Sequence, residues 1–323
     1  MSRIERVTQG TVETARKRAE SLRGRAEQTL LWKVWERMLE AEFVDRSVAL
    51  AGKAFVSFFP LIIVVAAFMP SGLRASILST VIHRFGLTGD ALRLAKQAFV
   101  SSKDLRDATG FVGLVLTIFY ATSFTTALQR VYLRAWRRAP GARLGPYVRG
   151  VIWVALFLSY AALLGGIREL LSGSVGTGVL VVAALAGSVG LWWVTAWMML
   201  SGQVRFRVVF PSGLVTGIAL SLYALSANVW MPETVTRNQR QFGFFGIALA
   251  LVTWFSGAAI CILLGACAGP ILAEDQGPIG RLIRGSSGTL LVAGAAPFLP
   301  PPTRPVRLTD AFRSSDDTSI PES

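Results

Sequence analysis

The middle of this 323-residue chain is short of charge. Only 16% of its residues are Asp, Glu, Lys or Arg, against roughly 25% in soluble domains. Those few gather at the N-terminus, in loops and in the tail. Histidine occurs once, as His83, and cysteine twice. There is no HExxH, no CxxC, no GxSxG elbow and no P-loop, the motifs that carry zinc, redox, acyl-transfer and nucleotide chemistry. A metal nuclease needs clustered carboxylates or histidines, and the apolar stretches contain none. No catalytic residue, metal or cofactor is therefore expected, and an enzyme is the class these residues support least. Cys261 and Cys267 lie six residues apart in one apolar run. On a helix that is a rise of about 9 Å with different faces, beyond the ~7 Å Cα separation a disulfide allows. They read as small apolar fillers and leave the redox compartment open.

What the chain has in quantity is apolar length. Hydrophobic residues make up 52% of it, and the mean hydropathy is +0.51. Crossing a bilayer takes about 20 mainly apolar residues. Six runs qualify, at about 47–69, 109–128, 150–167, 174–200, 208–231 and 243–272. The pattern predicts an all-α, polytopic integral membrane protein with six transmembrane helices. The first run begins near Ser47, behind a long charged segment, so it reads as an uncleaved anchor rather than a secretory signal. Trp192, Trp193 and Trp197 close the fourth run, as an aromatic belt at one interface does. Pro211 is expected in the first turn of the fifth, where a missing N–H is tolerated.

The formal net charge is +14. A basic chain can signal nucleic-acid binding. Here the arginines flank apolar runs instead, as the positive-inside rule produces, so no nucleic-acid partner is expected. The segment before the first span, the loops after the second and fourth, and the tail together hold 23 Lys/Arg; the other side holds nine. That bias predicts both termini inside. Residues 1–27 read as a charged cytoplasmic arm, 28–275 as the membrane domain and 276–323 as a largely disordered tail. Within the domain, residues 28–42 carry Leu30, Leu31, Val34, Trp35, Met38 and Leu39 at helical spacing, an amphipathic helix for the cytoplasmic surface. Glu36 and Glu40 there repel at i,i+4. The first external loop, about 70–108, shows the same periodicity twice and predicts two short amphipathic helices capping the bundle or lying on its surface.

Several breaks in the apolar runs are candidate functional or structural positions. Lys53 is the one ionisable residue well inside a span. It is either functional or a lysine snorkelling to the headgroups. Pro60 removes a backbone hydrogen bond in mid-span and kinks or breaks the helix. The carbonyl it frees, near Val56, needs a partner such as Ser57 or a neighbouring helix. Small residues recur every four positions in span five (Gly213, Gly217, Ser221) and span six (Gly257, Cys261, Gly265, Gly269). They are the pattern that lets membrane helices approach closely, in a static bundle or at a moving interface. Tyr120, Thr122, Ser123, Ser159, Tyr160, Thr195, Ser226 and Asn228 are polar groups within spans. Together they could wet a cavity, and singly each suits an interhelical hydrogen bond.

These residues carry a family resemblance. AFVSFFPLIIVV (54–65), ALQRVY (127–132) ahead of an arginine-rich loop, and FGFFGIALALVTWFSGAAICILLGACA (242–268) resemble three landmarks of the YihY/BrkB family of bacterial inner-membrane proteins. The resemblance spans about residues 30–275. It adds Arg130, Gly246 and Trp254 to the positions of interest. The chain departs from the family at Gln129, where Asn is frequent, at Tyr132, where Trp is frequent, and at Cys267, where an acid is common. It implies a multi-pass protein of the bacterial inner membrane, linked with serum resistance and with envelope or lipid export, and no settled substrate. The family was once labelled ribonuclease BN, a label the missing metal constellation argues against. The expectation is a transporter or exporter of a lipid or other amphiphile, with membrane lipids as partners and a homo-oligomer left open. The alternative is a non-transporting envelope assembly or scaffold protein.

Overall fold

The computed structural model describes residues 30–68, Ile82, 103–141, 145–170, 173–275 and 278–284. The charged arm before residue 30, the two helices expected in the first external loop and the tail after residue 284 lie outside them. Among the described residues the fold is all-α. Its helices are α1 (Leu30–Glu40), α2 (Phe43–Phe68), α3 (Lys103–Ala135), α4 (Pro146–Leu170), α5 (Gly173–Met199), α6 (Phe206–Phe242), α7 (Phe244–Glu274) and α8 (Pro278–Arg284). Four of them contain segments long and apolar enough to cross a membrane: Pro146–Ile167, Gly178–Met199, Phe206–Phe242 and Phe245–Glu274. Helices α2 and α3 cover the first and second expected spans but do not join that group.

Helix boundaries differ from the sequence reading where polar residues still favour helix. The fifth span was expected to end at residue 231, yet α6 runs to Phe242. Its polar extension continues because Met231 and Val235, one turn apart, bury themselves against Ala250 and Leu251 of α7. The helix stops at Gly243, whose φ of 59° suits a residue without Cβ. With 37 residues at ~1.5 Å each, α6 is about 55 Å long, well beyond the ~30 Å hydrocarbon layer. Because α6 starts at Phe206, Pro211 sits in its second turn rather than its first. Pro60 lies buried inside α2, which runs unbroken from Phe43 to Phe68. The two cysteines are free, Cys267 buried and Cys261 half-buried.

Helices α5, α6 and α7 form the best-packed part of the bundle, with α6 in the middle. The small residues explain why, but the two stripes do not face each other. A Cβ on Gly213 would come within 2.5 Å of the Trp193 backbone, and one on Gly217 within 2.6 Å of the Val189 backbone. The α6 stripe therefore seats α5. On α7, Gly269 meets Ser212, Gly265 meets Thr216 and Gly257 meets the Tyr223 ring, so the α7 stripe seats α6. Gly246 does the same for the turn, tucked against the Asn238 carbonyl. Helix α2 packs on α3 and α7, α4 on α3 and α5, and α1 on the end of α7. The main core lies at the α1 end, around Tyr132, Trp136, Leu200, Val204 and Leu263.

Forcing a side chain into these contacts separates two backbones, and overpacking costs about 1–3 kcal/mol or more. Gly213→Val and Gly265→Val should each lower the thermal unfolding midpoint of the detergent-purified protein by several degrees. Gly52→Ala should leave it within about a degree, because nothing lies within 4 Å of the added methyl.

Candidate functional site

Where the α5–α6 glycine contact ends, the bundle opens. Ser221, the third member of the α6 stripe, does not seat a neighbour; it lines a half-open chamber of about 440 Å³. Six helices contribute to its wall: Ser57 and Phe58 from α2, Phe124 from α3, Trp153 and Tyr160 from α4, Trp192 from α5, Tyr223 from α6, and Trp254 and Phe255 from α7. Aromatic edges hold the wall in shape. Phe58 meets Phe255 at 5.6 Å between ring centroids, Phe124 meets Trp153 at 5.0 Å, and Trp153 stacks on Phe157 at 5.6 Å. The lining has no ionisable residue apart from its tyrosines.

Four of its hydroxyls, those of Ser57, Tyr160, Ser188 and Tyr223, are spent on the protein itself. Ser57 Oγ lies 2.6 Å from the Lys53 carbonyl and 3.1 Å from the Tyr120 carbonyl. It does not serve the Val56 carbonyl freed by Pro60, as the sequence reading expected; it closes the turn before it and ties α2 to α3. Tyr160 Oη donates to the Ala184 carbonyl at 2.9 Å, Ser188 Oγ to Gly217 at 3.2 Å, and Tyr223 Oη to Trp254 at 3.1 Å. The other polar groups expected within spans do not wet the chamber either. Thr122, Ser159, Thr195 and Ser226 bond carbonyls of their own helices. The result is a largely apolar surface.

A second, polar cavity of about 500 Å³ lies at the α1 end, lined by Lys33, Glu36, Arg37, Glu40, Arg137 and Glu274 among others. Two ion pairs join its walls: Arg37 reaches Glu274 of α7 at 3.2 Å and Arg137 reaches Glu40 at 2.8 Å. Outside its lining, Arg134 reaches Glu42 at 3.3 Å. The like charges Glu36 and Glu40 are relieved separately, Glu36 accepting from Trp32 Nε1 at 2.8 Å while Glu40 takes Arg137. Burial holds the Arg37 guanidinium below its usual range, and Glu274 works against that shift. The pairs strap α1 across the ends of α3 and α7. Beneath them Gln129 donates to Ser201 Oγ at 3.3 Å, and Arg138 donates to Gln203 at 3.1 Å, fixing the loop after α3 to the α5–α6 turn.

Of the positions singled out in the sequence, Ser57, Tyr160, Trp192, Ser221 and Trp254 line the chamber. Lys53 is half-buried on α2 outside that lining, and Pro60 is buried one turn from Ser57. Arg130 and Asn228 are exposed and belong to neither cavity. Gly246, Gly257, Gly265 and Gly269 are packing positions of α7. Sequence reasoning missed Trp153, Tyr223 and Phe255, and placed Trp192 in an interfacial belt, because rings in a transmembrane run occur on lipid-facing and inward faces alike. The available signal was the four-residue spacing of Trp153 and Phe157. It also missed Arg37 and Glu274, whose partnership depends on where α1 docks.

Among the described residues, four helices long and apolar enough to cross a bilayer, packed through glycine beside a half-open apolar chamber, define a membrane protein. A family model described as virulence factor BrkB matches residues 34–278, from within α1 to the start of α8, and the chain belongs to that family. No curated protein and no solved structure matches the chain.

Arg37 is buried and Glu274 partly exposed, so removing the carboxylate strands a charge, and removing both does not. Glu274→Ala should destabilise the protein by about 1–3 kcal/mol. The double variant Arg37→Met/Glu274→Ala should recover most of that loss, as read from thermal midpoints at constant salt.

Proposed function

We propose that this protein is a multi-pass transporter or exporter of a lipid or another amphiphile in the bacterial inner membrane, with six spans and both termini cytoplasmic. The observation that supports this most directly is the half-open chamber among helices α2 to α7, lined by aromatic and aliphatic side chains, with four of those helices, α4 to α7, long and apolar enough for a bilayer. Pockets of ~300–1,000 Å³ with mainly apolar walls are the ordinary form of small-molecule sites. The positive-inside bias supports the orientation. On that reading the ionic strap of α1 faces the cytoplasm, and the α6–α7 turn faces outward.

Two measurements test it. In liposomes carrying a lipid with a fluorescent tail, the wild-type protein should speed movement between leaflets. Ala54→Trp, which fills the chamber wall, should cut that rate at least 10-fold, and Val229→Trp, at a position 83% exposed, should not. Absence of movement together with a stably co-purifying partner would favour the scaffold reading instead. For orientation, Arg205→Cys and Arg240→Cys both replace exposed residues. A membrane-impermeant thiol reagent applied to intact spheroplasts should label Arg240→Cys alone, and labelling of Arg205→Cys under those conditions would invert the topology.

A further inference from the structure

The chamber's chemistry suits one part of an amphiphile and rejects the other. Apart from two tyrosines its lining offers no ionisable group, so an ionic headgroup inside would lose its hydration with no countercharge, a heavy cost in a dry site. The hydroxyls of Ser57, Tyr160, Ser188 and Tyr223 already donate to backbone carbonyls. Left over are the Ser221 hydroxyl and an enclosed indole N–H, Trp153 Nε1, without an acceptor among the described residues. An uncharged carbonyl oxygen accepts that bond without bringing a charge into the site; a phosphate oxygen would accept it only by burying an unpaired charge, and an ammonium group has no acceptor to offer. Size narrows the occupant further. If a methylene is taken as about the volume of a water, ~30 Å³, then about 440 Å³ holds roughly fifteen carbons. That is one long acyl chain rather than two.

The way in follows from how the wall is built. Helix α4 packs on α3 and α5, and across the chamber it faces α2, α6 and α7. Its apolar window is only 11% buried, against 39% for α6. At the α1 end the passage is stopped by the main core, where Leu128, Tyr132 and Leu263 are fully buried. With that end blocked and α4 sparsely covered, the lateral face beside α4 is the candidate route from the lipid phase.

We infer that the chamber binds a single acyl chain, entering laterally beside α4 with an ester carbonyl at the depth of Trp153 while the charged headgroup stays outside. This deepens the proposed function and rests on the same chamber. The test uses the full chain, purified in detergent, with two forms of phosphatidylglycerol. One carries a diazirine near the end of an acyl chain and the other carries it on the headgroup; crosslinks are mapped by mass spectrometry. The acyl probe should modify residues within 153–164 of α4 and 254–262 of α7. That labelling should fall at least 10-fold in Ala258→Trp and be unchanged in Val229→Trp, with Ala54→Trp as the replacement if Ala258→Trp is not monodisperse. Headgroup-probe adducts at those residues, or acyl labelling equal in the filled variant, would overturn the inference. Acyl labelling as expected without lipid movement in liposomes would keep the ligand and remove the transport reading. Lipid movement without chamber labelling would do the reverse.

Discussion

Everything in this bundle depends on how closely α5, α6 and α7 approach. Apolar side chains gain little by leaving lipid for each other, so membrane helices associate through close backbone contact and dispersion. Gly213 and Gly217 bring α6 onto the α5 backbone, and Gly265 and Gly269 bring α7 onto Ser212 and Thr216 of α6. Because the two stripes lie on different helices and point to different neighbours, α6 is held from both sides. A three-helix slab results, and the remaining helices arrange themselves against it.

The chamber is the geometric consequence of where that contact stops. Past Gly217 on α6, the next position in the stripe is Ser221, which lines the chamber. On α7 the same change of role occurs at Gly257, which receives the ring of Tyr223; that phenol then donates to Trp254 at 3.1 Å. Large aromatic side chains take over from glycine as the spacing elements. Rings such as Phe58 and Phe255, meeting edge to face, hold a wall apart without supplying polarity. A site so made is open and apolar at once.

How much of this was legible beforehand follows the range of each interaction. Apolar run length is a local property, so the positions of α4, α5, α6 and α7 could be read to within a few residues at most ends. The exception was α6, whose last turns are polar in composition and are kept helical by Met231 and Val235 packing on α7, a contact distant in sequence. The glycine spacing announced close packing but not its direction, because a stripe names a face and not the neighbour that meets it. The polar residues in spans looked like the makings of a wet cavity. Thr122, Ser159, Thr195 and Ser226 turned inward to their own helices, since a hydroxyl in lipid takes the nearest carbonyl it can reach. The chamber aromatics could not be picked out, because sequence alone does not distinguish a ring facing a cavity from one facing lipid.

The charges complete the argument by their separation from the chamber. Arg37, Glu40, Arg134, Arg137 and Glu274 are paired at one end of the bundle, beyond a core of fully buried side chains that includes Trp136 and Tyr132. A cation as buried as Arg37 is tolerable there because its carboxylate partner still meets water, with Glu274 39% exposed. The same guanidinium placed among Trp153, Phe157 and Phe255 would have neither water nor partner. The division is therefore physical as well as spatial. The α1 end is a charged, interlocked base that can orient the protein and tie its helices together. The middle is a place from which charge has been kept out, and the hydrophobic effect offers nothing within a bilayer to close it, so its shape is left to the glycines and rings around it.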